Sequence, residues 1–501
     1  MTFQNLKAII VYLCLVALVP EADHAVGLEV KKNPLNRAYL VYEGKPILAY
    51  GPCPQNILTY LPKGNGNDVI DWLQWARELG INNVRSYPPS CRVPEPAENI
   101  FKRSTSDPTR FDLNFIDERY FNELRNACLL LKEHGVIVHL QFWQAVYWKK
   151  FWQDCYYNPE NNVNPDISAH AGPGEFVTMK NPALLDHQKK YVLKILDATG
   201  DLGNVFYDIM NEIGNGTGTS EEWVWEIIKT VNQWEKDNNC DVLLTLNDEG
   251  GMRMGDFSLE CEGLDLIVKD LGRYDEHVNT KLRYRKPTIS VRNIDYDYQL
   301  KKRRYFYGEY NLEINTDDNL QTRGRKYWWR MFMAGVQSAG GYADTYSNKD
   351  TCFLVRTTYK IARKLEMLKF FPLERKASYR LNQISEQNFV PFRRFVNQIT
   401  DYEDLSPSSG VLVGHPTRHS YCLQSEKQAI IYIESPNGQA GFNYNQTKAR
   451  LTGLTLDDGH YQGTYYSPSD GRKETFSVEL EAGEGELLVP RFKDDLAILI
   501  Q

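Results

Sequence analysis

Two glutamates end apolar, aromatic-rich runs in which a carboxyl group could do acid–base chemistry. Glu212 ends the run VFYDIMNE (205–212), and Glu309 ends the run YFYGE (305–309). Hydrolysis of a glycosidic bond needs two carboxyl groups, one that protonates the leaving oxygen and one that attacks the anomeric carbon or activates water. Apolar surroundings raise the pKa of a carboxyl group and so keep an acid protonated. We therefore predict that Glu212 and Glu309 form a catalytic pair.

Several other polar or aromatic residues lie near the ends of apolar runs and suit the binding of a sugar. Arg85 could hold a neighbouring carboxylate in its ionised form, and Asn211, directly before Glu212, could form a hydrogen bond with a substrate hydroxyl. The residues that we predict to bind substrate are Arg85, His139, Trp143, Asn211, Tyr307 and Asp344.

The chain before about residue 375 alternates short β-branched runs with helical patterns. The predicted strands are Pro46–Tyr50, Ile81–Tyr87, Val136–Trp143, Val205–Glu212, Val242–Asp248, Leu264–Asp270, Pro287–Val291 and Gly341–Ser347. Eight strands alternating with helices predict a (β/α)₈ TIM barrel, in which the active site lies at the carboxyl ends of the strands. The alternative is an open doubly wound sheet. It favours a Gly-rich first turn, whereas residues 51–54 read Gly-Pro-Cys-Pro.

The last 126 residues have a different pattern. Short runs of strand-forming residues are separated by turn sequences such as Asn-Gly, Asp-Asp-Gly and Ser-Asp-Gly. Evenly spaced short strands of this kind predict a β-sandwich. We therefore expect a signal peptide over residues 1–27, a catalytic barrel over 28–375 and a smaller all-β sandwich over 376–501.

Several of these segments together resemble the clan A glycoside hydrolases, the cellulase-like (β/α)₈ retaining glycosidases. Phe206–Glu212 looks like their fourth-strand Asn-Glu motif, Ala38–Gly51 resembles their first hairpin, and Arg85 matches the arginine that often ends their second strand. Arg325–Gly335 and Tyr342–Tyr346 resemble the last helix and strand of members with a C-terminal β-domain. The resemblance covers roughly residues 30–372. It implies that Glu212 is the acid/base and that a glutamate of the seventh strand is the nucleophile.

The seventh strand departs from the pattern of this family. Lys286-Pro287 resembles its usual opening, yet the residues up to Asn293 include no glutamate. Two interpretations follow. In one, Arg304–Tyr307 is the seventh strand and Glu309 is an ordinary nucleophile. In the other, Pro287–Val291 is the seventh strand, and either Glu309 enters from an inserted loop or the nucleophile is missing, with Glu249 as the substitute candidate.

Aromatic residues are dense after the third predicted strand. Eight of the 16 residues from Phe142 to Tyr157 are aromatic. Sugars stack on such rings, so this segment could line a subsite. Large rings also pack on one another, so a small core within the loop is the alternative.

The N-terminus predicts export. The apolar run Ala8–Val19 suits a signal peptide and is too short to span a bilayer. We place cleavage after Gly27, with an uncleaved anchor as the alternative. The protein is then secreted or periplasmic, without stable membrane insertion after cleavage. Eight cysteines remain, and an oxidising compartment permits disulfides among them.

Composition and motifs exclude several other classes of function. A net charge of −7 makes a broad electrostatic contact with nucleic acid unfavourable. HExxH and Gly-x-Ser-x-Gly motifs are absent from the sequence, so we predict neither a metal site nor a serine hydrolase, and no cofactor is implied. The expected partner is a carbohydrate substrate. The rival interpretation is a non-catalytic, secreted carbohydrate-binding protein on a degenerate barrel.

Overall fold

The computed structural model of the chain describes residues 27–33, 37–53, 57–59, 61, 69–89, 98–145, 148, 151–214, 217–248, 254, 257–269, 278–280, 283–290, 317–342, 389–408, 411–417, 419–435 and 441–501. The predicted signal peptide up to residue 26 and the boundary between residues 375 and 376 lie outside these residues.

Before residue 343 the described strands form an N-terminal antiparallel sheet, a separate hairpin and two parallel sheets. In chain order they are β1 (Leu28–Asn33), β2 (Arg37–Tyr42), β3 (Lys45–Pro46), β4 (Ala49–Cys53), β5 (Asn83–Ser86), β6 (Phe101–Arg103), β7 (Phe111–Ile116), β8 (Ile137–Gln144), β9 (Val205–Asn211), β10 (Leu243–Thr245), β11 (Ile267–Lys269), β12 (Thr288–Ser290) and β13 (Ser338–Tyr342).

Helices separate most of the parallel strands. They are α1 (Val69–Leu79), α2 (Glu118–Glu133), α3 (Pro165–Ser168), α4 (Pro182–Thr199), α5 (Glu221–Asn238), α6 (Phe257–Glu260), α7 (Asp317–Met333) and α8 (389–396). Side chains cap three of the long helices at their first turns. Asp117 accepts a hydrogen bond from Arg119 N, Asn181 from Ala183 N, and Ser220 from Trp223 N at 3.1 Å.

The two parallel sheets have four strands each, in the orders β10-β9-β8-β5 and β11-β12-β13-β4. Hydrogen bonds also join the sheets at both edges. Asp265 N donates to Leu244 O at 2.8 Å, and Asn82 N donates to Tyr50 O at 3.3 Å. The predicted alternation of parallel strands and helices is therefore confirmed for the described part of the chain.

The position of β12 decides between the two interpretations of the seventh strand. Ile289 of β12 pairs with Val268 of β11 on one side and with Ser338 of β13 on the other. Residues 288–290 therefore occupy the seventh place among the parallel strands. The interpretation that places residues 304–307 there is incompatible with this pairing.

The N-terminal hairpin covers one end of the parallel strands. Leu28, Leu40 and Tyr42 pack in one core with apolar residues from six of those strands, namely Ala49, Ile137, Phe206, Leu243, Val268 and Ile289. Each of the six lies near the start of its strand. Apolar side chains thus close the amino end of the parallel strands, and polar groups can gather only at the carboxyl end.

The chain after residue 405 is all β in its described part, as the turn-rich sequence predicts. Its strands are β14 (Ser406–Ser408), β15 (Val411–Val413), β16 (His419–Gln424), β17 (Ala429–Glu434), β18 (Asn443–Tyr444), β19 (Thr447–Thr452), β20 (Gly459–Tyr466), β21 (Lys473–Leu480), β22 (Gly485–Val489), β23 (Phe492–Lys493) and β24 (Asp495–Ile500). Six of them form an antiparallel sheet in the order β14-β16-β17-β24-β20-β21, and three form a second sheet, β15-β19-β22.

Both faces of the six-stranded sheet are buried at its central strands β17 and β24. Ile431 and Ile498 pack in a core that also contains Leu451 and Val489 of the three-stranded sheet. The alternate residues Ile430 and Tyr432, together with Leu499, belong instead to the core that includes α7 and α8. Burial on both faces explains why β17 reads as a continuous apolar run.

Charged and aromatic residues of α7 join the parallel-sheet region to this antiparallel sheet. Arg325 forms a bidentate ion pair with Asp495 of β24, with Nη2 2.8 Å from Oδ1 and Nε 2.9 Å from Oδ2. Arg330 pairs with Glu434 of β17 at 2.7 Å, and the ring of Trp329 stacks on Tyr432 at 5.2 Å. Asp495 and Glu434 are fully buried.

Cys128, Cys240, Cys261 and Cys422 belong to the eight cysteines expected after cleavage, and all of them are free thiols in the described part of the chain. A complete set of four disulfides is therefore not formed. Among the described residues, no helix is both long enough and apolar enough to cross a membrane.

Candidate active site

Polar side chains from neighbouring parallel strands meet beyond the apolar core. His139 and Gln141 belong to β8, which pairs with β9 so that Gln141 lies opposite Asp208 and Gln144 opposite Asn211. Asn247 follows β10, the strand on the other side of β9. Arg85 lies on β5, which pairs with β8. The predicted residues Arg85, His139 and Asn211 are thus brought to one place.

Asn211 is held by three of these side chains. Its Oδ1 accepts hydrogen bonds from Arg85 Nη2 and from Asn247 Nδ2, the latter at 2.7 Å, and its Nδ2 donates to Gln144 Oε1. Arginine carries donors only, so the Asn211 oxygen must face Arg85. With both lone pairs of Oδ1 engaged, the second Nδ2 hydrogen is the polar group that Asn211 retains for a ligand.

Asp208 lies three residues before Asn211 on β9 and is fully buried. Its Oδ2 is 3.7 Å from Arg85 Nη2 and 3.3 Å from His139 Nε2, and its Oδ1 accepts from Asn247 N at 3.2 Å. The side-chain oxygen of Gln141 faces Arg85, whose Nε donates to it at 3.1 Å. A buried carboxylate needs this number of partners because it has lost its hydration.

His139 is neutral at physiological pH. Burial lowers the pKa of its imidazole to about 4, and the positive charge of Arg85 acts in the same direction, whereas the hydrogen bond that His139 donates to Asp208 raises the pKa. Its ring stacks on Phe206 at 4.5 Å. His139 therefore serves Asp208 as a neutral donor.

Glu212 follows this network directly and has an unusual backbone. Its φ angle is +52°, in the left-handed region that non-glycine residues seldom adopt. The next residue, Ile213, donates its N–H to Asn247 O at 3.1 Å. Glu212 itself is half-buried. Sparsely populated backbone conformations occur often at functional sites, which agrees with the selection of Glu212 from the sequence.

Trp143 does not share this location. It is 2% exposed and packs against Phe176, Tyr191 and Trp223, with ring centroids 5.4–5.8 Å apart. A ring surrounded in this way has no face to offer a sugar. The structure therefore gives Trp143 a packing role in place of the predicted substrate contact.

The aromatic segment after β8 forms a small core, as far as its residues are described. Trp148, Tyr157 and Phe176 are buried. The ring centroid of Trp148 lies 3.9 Å from that of Phe176 and 5.4 Å from that of Tyr157. The alternative of a loop core is confirmed for these residues, and a sugar subsite on them is not supported.

Four predicted or candidate residues lie outside the described part of the chain: Glu249, Tyr307, Glu309 and Asp344. The seventh strand itself carries Thr288, Ile289 and Ser290. The Ser290 hydroxyl lies 2.8 Å from that of Tyr327 on α7.

Asp208, Asn247 and Gln144 are the contributors to which the sequence pattern assigned no role. One signal for Asp208 is visible in hindsight, because an ionisable residue within the apolar run VFYDIM has to be paired. Gln144 and Asn247 carry no comparable signal. No group of three or more His, Cys, Asp or Glu side chains that could hold a metal ion occurs in the described ranges.

Comparison with known proteins shows which solved structures have a similar fold. No family model and no curated protein matches the sequence. A solved structure described as a glycoside hydrolase aligns with a TM-score of 0.58 and 13% identity, covering 95% of this chain and 97% of its own. The chain shares its fold with glycoside hydrolases.

A second solved structure supports the same fold. It is a glycoside hydrolase family 5 protein from Bacteroides vulgatus, with a TM-score of 0.53 and 13% identity over 94% of this chain and 92% of its own. Because one fold hosts many activities, the chemistry of this chain depends on its own residues.

Proposed function

We propose that this protein is a secreted glycoside hydrolase that cleaves O-glycosidic bonds of an oligo- or polysaccharide by a retaining mechanism. The two parallel sheets are taken as one closed (β/α)₈ barrel over residues 28–375. The antiparallel sheets are taken as a β-sandwich domain over residues 376–501. Hydrogen bonds at both edges of the sheets and the shared fold support this arrangement.

The observation that carries the proposal is the pair Asn211–Glu212 at the end of β9. Asn211 is fixed by donors from Arg85 on β5 and from Asn247, two residues after β10, and Glu212 follows it with a left-handed backbone. We infer that the carboxyl group of Glu212 lies next to this oriented amide. We assign the acid/base role to Glu212 and a sugar hydroxyl contact to Asn211.

Glu309 is our candidate nucleophile. Because the seventh strand ends at Ser290, Glu309 belongs to the 26 residues that separate β12 from α7 in the sequence. Its carboxylate attacks the anomeric carbon while Glu212 protonates the leaving oxygen, which gives a glycosyl-enzyme and a free alcohol. Glu212 then removes a proton from water, the water attacks the same carbon, and the carboxylate of Glu309 leaves.

Azide rescue tests both assignments. The substrates are 2,4-dinitrophenyl β-glucoside, β-mannoside, β-galactoside and β-xyloside, whose leaving group needs no proton. With Glu212→Ala, azide should react with the glycosyl-enzyme and give a glycosyl azide of retained configuration. With Glu309→Ala, azide should attack the substrate directly and give the inverted azide. Turnover by wild type without either rescue would contradict the assignments.

Export has its own test. Leu28 begins β1 and donates its N–H to Gly203 O at 2.8 Å. Cleavage after Gly27 would turn this group into an α-amino group that can still donate. Mass spectrometry of the exported protein should find Leu28 at the N-terminus, and an intact N-terminus on membrane-bound protein would contradict the proposal.

One observation favours a second function. β12 carries no carboxylate where a retaining glycosidase of this fold is expected to place its nucleophile. The second candidate is therefore a carbohydrate-binding protein without catalysis. It predicts calorimetric binding of soluble oligosaccharides with no release of reducing ends, and binding that survives the double variant Glu212→Gln/Glu309→Gln.

A further inference from the structure

A single buried carboxylate connects the groups that orient Asn211. The two donors to Asn211 Oδ1 come from different places, Arg85 on β5 and Asn247 after β10. Both are also held by Asp208, through the 3.7 Å ion pair with Arg85 and the 3.2 Å hydrogen bond from Asn247 N. Removing Asp208 would therefore release both at once.

We propose that Asp208 is a positioning residue, which fixes the Asn211 amide and, through the adjoining peptide, the backbone of Glu212. The inference rests on the proposed function, in which Asn211 and Glu212 act on the substrate. Asp208 itself touches no substrate, because it is fully buried below both residues.

The end of β9 needs such a tether because its side chains depart from strand alternation. In a regular strand, residues three apart point to opposite faces. Asp208 and Asn211 nevertheless contact the same two residues, Arg85 and Asn247. The left-handed conformation of Glu212 comes directly afterwards. Hydrogen bonds have to hold a geometry that backbone preference alone does not favour.

The chemistry of the partners requires a carboxylate at this position. Arg85 Nη2, His139 Nε2 and Asn247 N all approach Asp208 as donors. Asparagine has the same shape but places an NH₂ group where one oxygen was, so it faces a donor with a donor. Asp208→Asn also removes the negative charge next to the buried Arg85 guanidinium.

The experiment is a double-mutant cycle with Asp208→Asn, Asn211→Ala and the double variant, measured on the 2,4-dinitrophenyl glycoside that wild type turns over. Misplacement of a substrate-contacting group by about 1 Å costs on the order of 100-fold. We expect Asp208→Asn to lower kcat about 100-fold with KM changed less than about 3-fold. In the Asn211→Ala background the same substitution should cost less than about 3-fold, because the group it positions is gone.

Asp265→Asn is the matched control. Asp265 is a largely buried carboxylate beside the neighbouring strand, where its Oδ2 accepts from Leu244 N at 2.8 Å. It supports the backbone near the start of β10 and contacts no described residue of the site. We expect lower thermal stability with kcat and KM within about 2-fold of wild type. An equal loss of kcat in this variant, or independent effects of Asp208→Asn and Asn211→Ala, would overturn the proposal.

Two further measurements keep the proposal falsifiable. If Asp208→Asn fails to fold, Asn247→Ala removes one arm of the tether and should lower kcat about 10-fold, again only when Asn211 is present. If wild type hydrolyses none of the glycosides, the proposed function fails, and a crystal structure of Asp208→Asn still decides the positioning role. A displaced or rotated Asn211 amide supports the role, and an unchanged one overturns it.

Discussion

The fourth and seventh parallel strands end in different ways. At the end of β9, Asp208 and Asn211 lie in a network with β5, β8 and Asn247, which is two residues after β10, and Glu212 follows. At the end of β12, the Ser290 hydroxyl contacts the Tyr327 hydroxyl of α7. Among the described strands, only β9 is thus followed directly by a glutamate of the proposed pair. In our proposal the other comes from the chain that follows β12, where Glu309 lies 19 residues after Ser290 in the sequence.

The largest effect should come from Glu212. Removing an acid/base group costs typically 10²–10⁴-fold, so Glu212→Gln should lower kcat by about that factor on a 4-nitrophenyl glycoside. Steady-state kinetics measure the change. The control is the 2,4-dinitrophenyl glycoside in the first half-reaction, where burst-phase kinetics should show a much smaller loss. Equal losses on both leaving groups would argue against Glu212 as the proton donor.

Buried charges elsewhere in the molecule should affect stability and leave catalysis unchanged. Asp495→Ala removes the acceptor of both Arg325 and the Tyr432 hydroxyl and leaves the guanidinium buried. Breaking a buried ion pair costs about 3–5 kcal/mol. Urea unfolding should show a loss of this size, and kcat/KM measured well below the unfolding transition should stay within about 2-fold of wild type. A selective loss of activity would mean that this interface also shapes the site.

The pH dependence of stability should report on His139. Burial lowers the pKa of its imidazole to about 4 in the folded state, whereas an unfolded histidine has a pKa of about 6.5. Between these values the unfolded state binds more protons, so this contribution to stability is complete above about pH 6.5 and is lost as the pH falls towards 4.

His139→Gln keeps a donor for Asp208 and removes the titration. Between pH 7 and pH 4.5, wild type should lose about 1–3 kcal/mol more free energy of unfolding than this variant. Urea titrations at the two pH values give the difference. A larger loss in the variant would show that the imidazole is protonated in the folded protein.

The smallest effect belongs to Ser290. Ser290→Ala removes its hydrogen bond with Tyr327, worth about 1 kcal/mol of stability. Thermal unfolding should detect this change, and kcat should stay within about 2-fold of wild type because the end of β12 carries no reacting group. A loss comparable with that of Glu212→Gln would place the end of the seventh strand in the reaction.

The sequence predicts the scaffold well because its signals are local and repeated. The alternation of β-branched runs with helical patterns is confirmed for the described residues, and most predicted strands overlap the observed ones. The first and last strands differ in position from their predictions. β4 begins at Ala49, three residues after the predicted start, and β13 begins at Ser338, three residues before it. β1 was not predicted, because its sequence LEVKKN carries three charges in six residues. Its pairing with β2, from Leu28 opposite Tyr42 onwards, makes it a strand.

The site could be predicted only in part. Arg85, His139 and Asn211 lie on recognisable strands, so their convergence follows from the parallel order of those strands. The hydrogen-bond partners Gln144 and Asn247 depend on register between strands that lie far apart in the sequence, which no local pattern encodes. Trp143 shows the opposite error. Its type suits a sugar, yet its side chain turns towards α4 and α5, where Tyr191 and Trp223 surround it.

The most direct test of the proposed pair is covalent trapping. Wild type is incubated with the 2,4-dinitrophenyl 2-deoxy-2-fluoro analogue of the glycoside it hydrolyses, and the labelled peptide is identified by mass spectrometry. We expect one sugar per chain, attached to Glu309, and no adduct in Glu309→Gln. A label on Glu249 or on any other residue, or rapid hydrolysis of the unfluorinated glycoside without any trapped adduct, would contradict it.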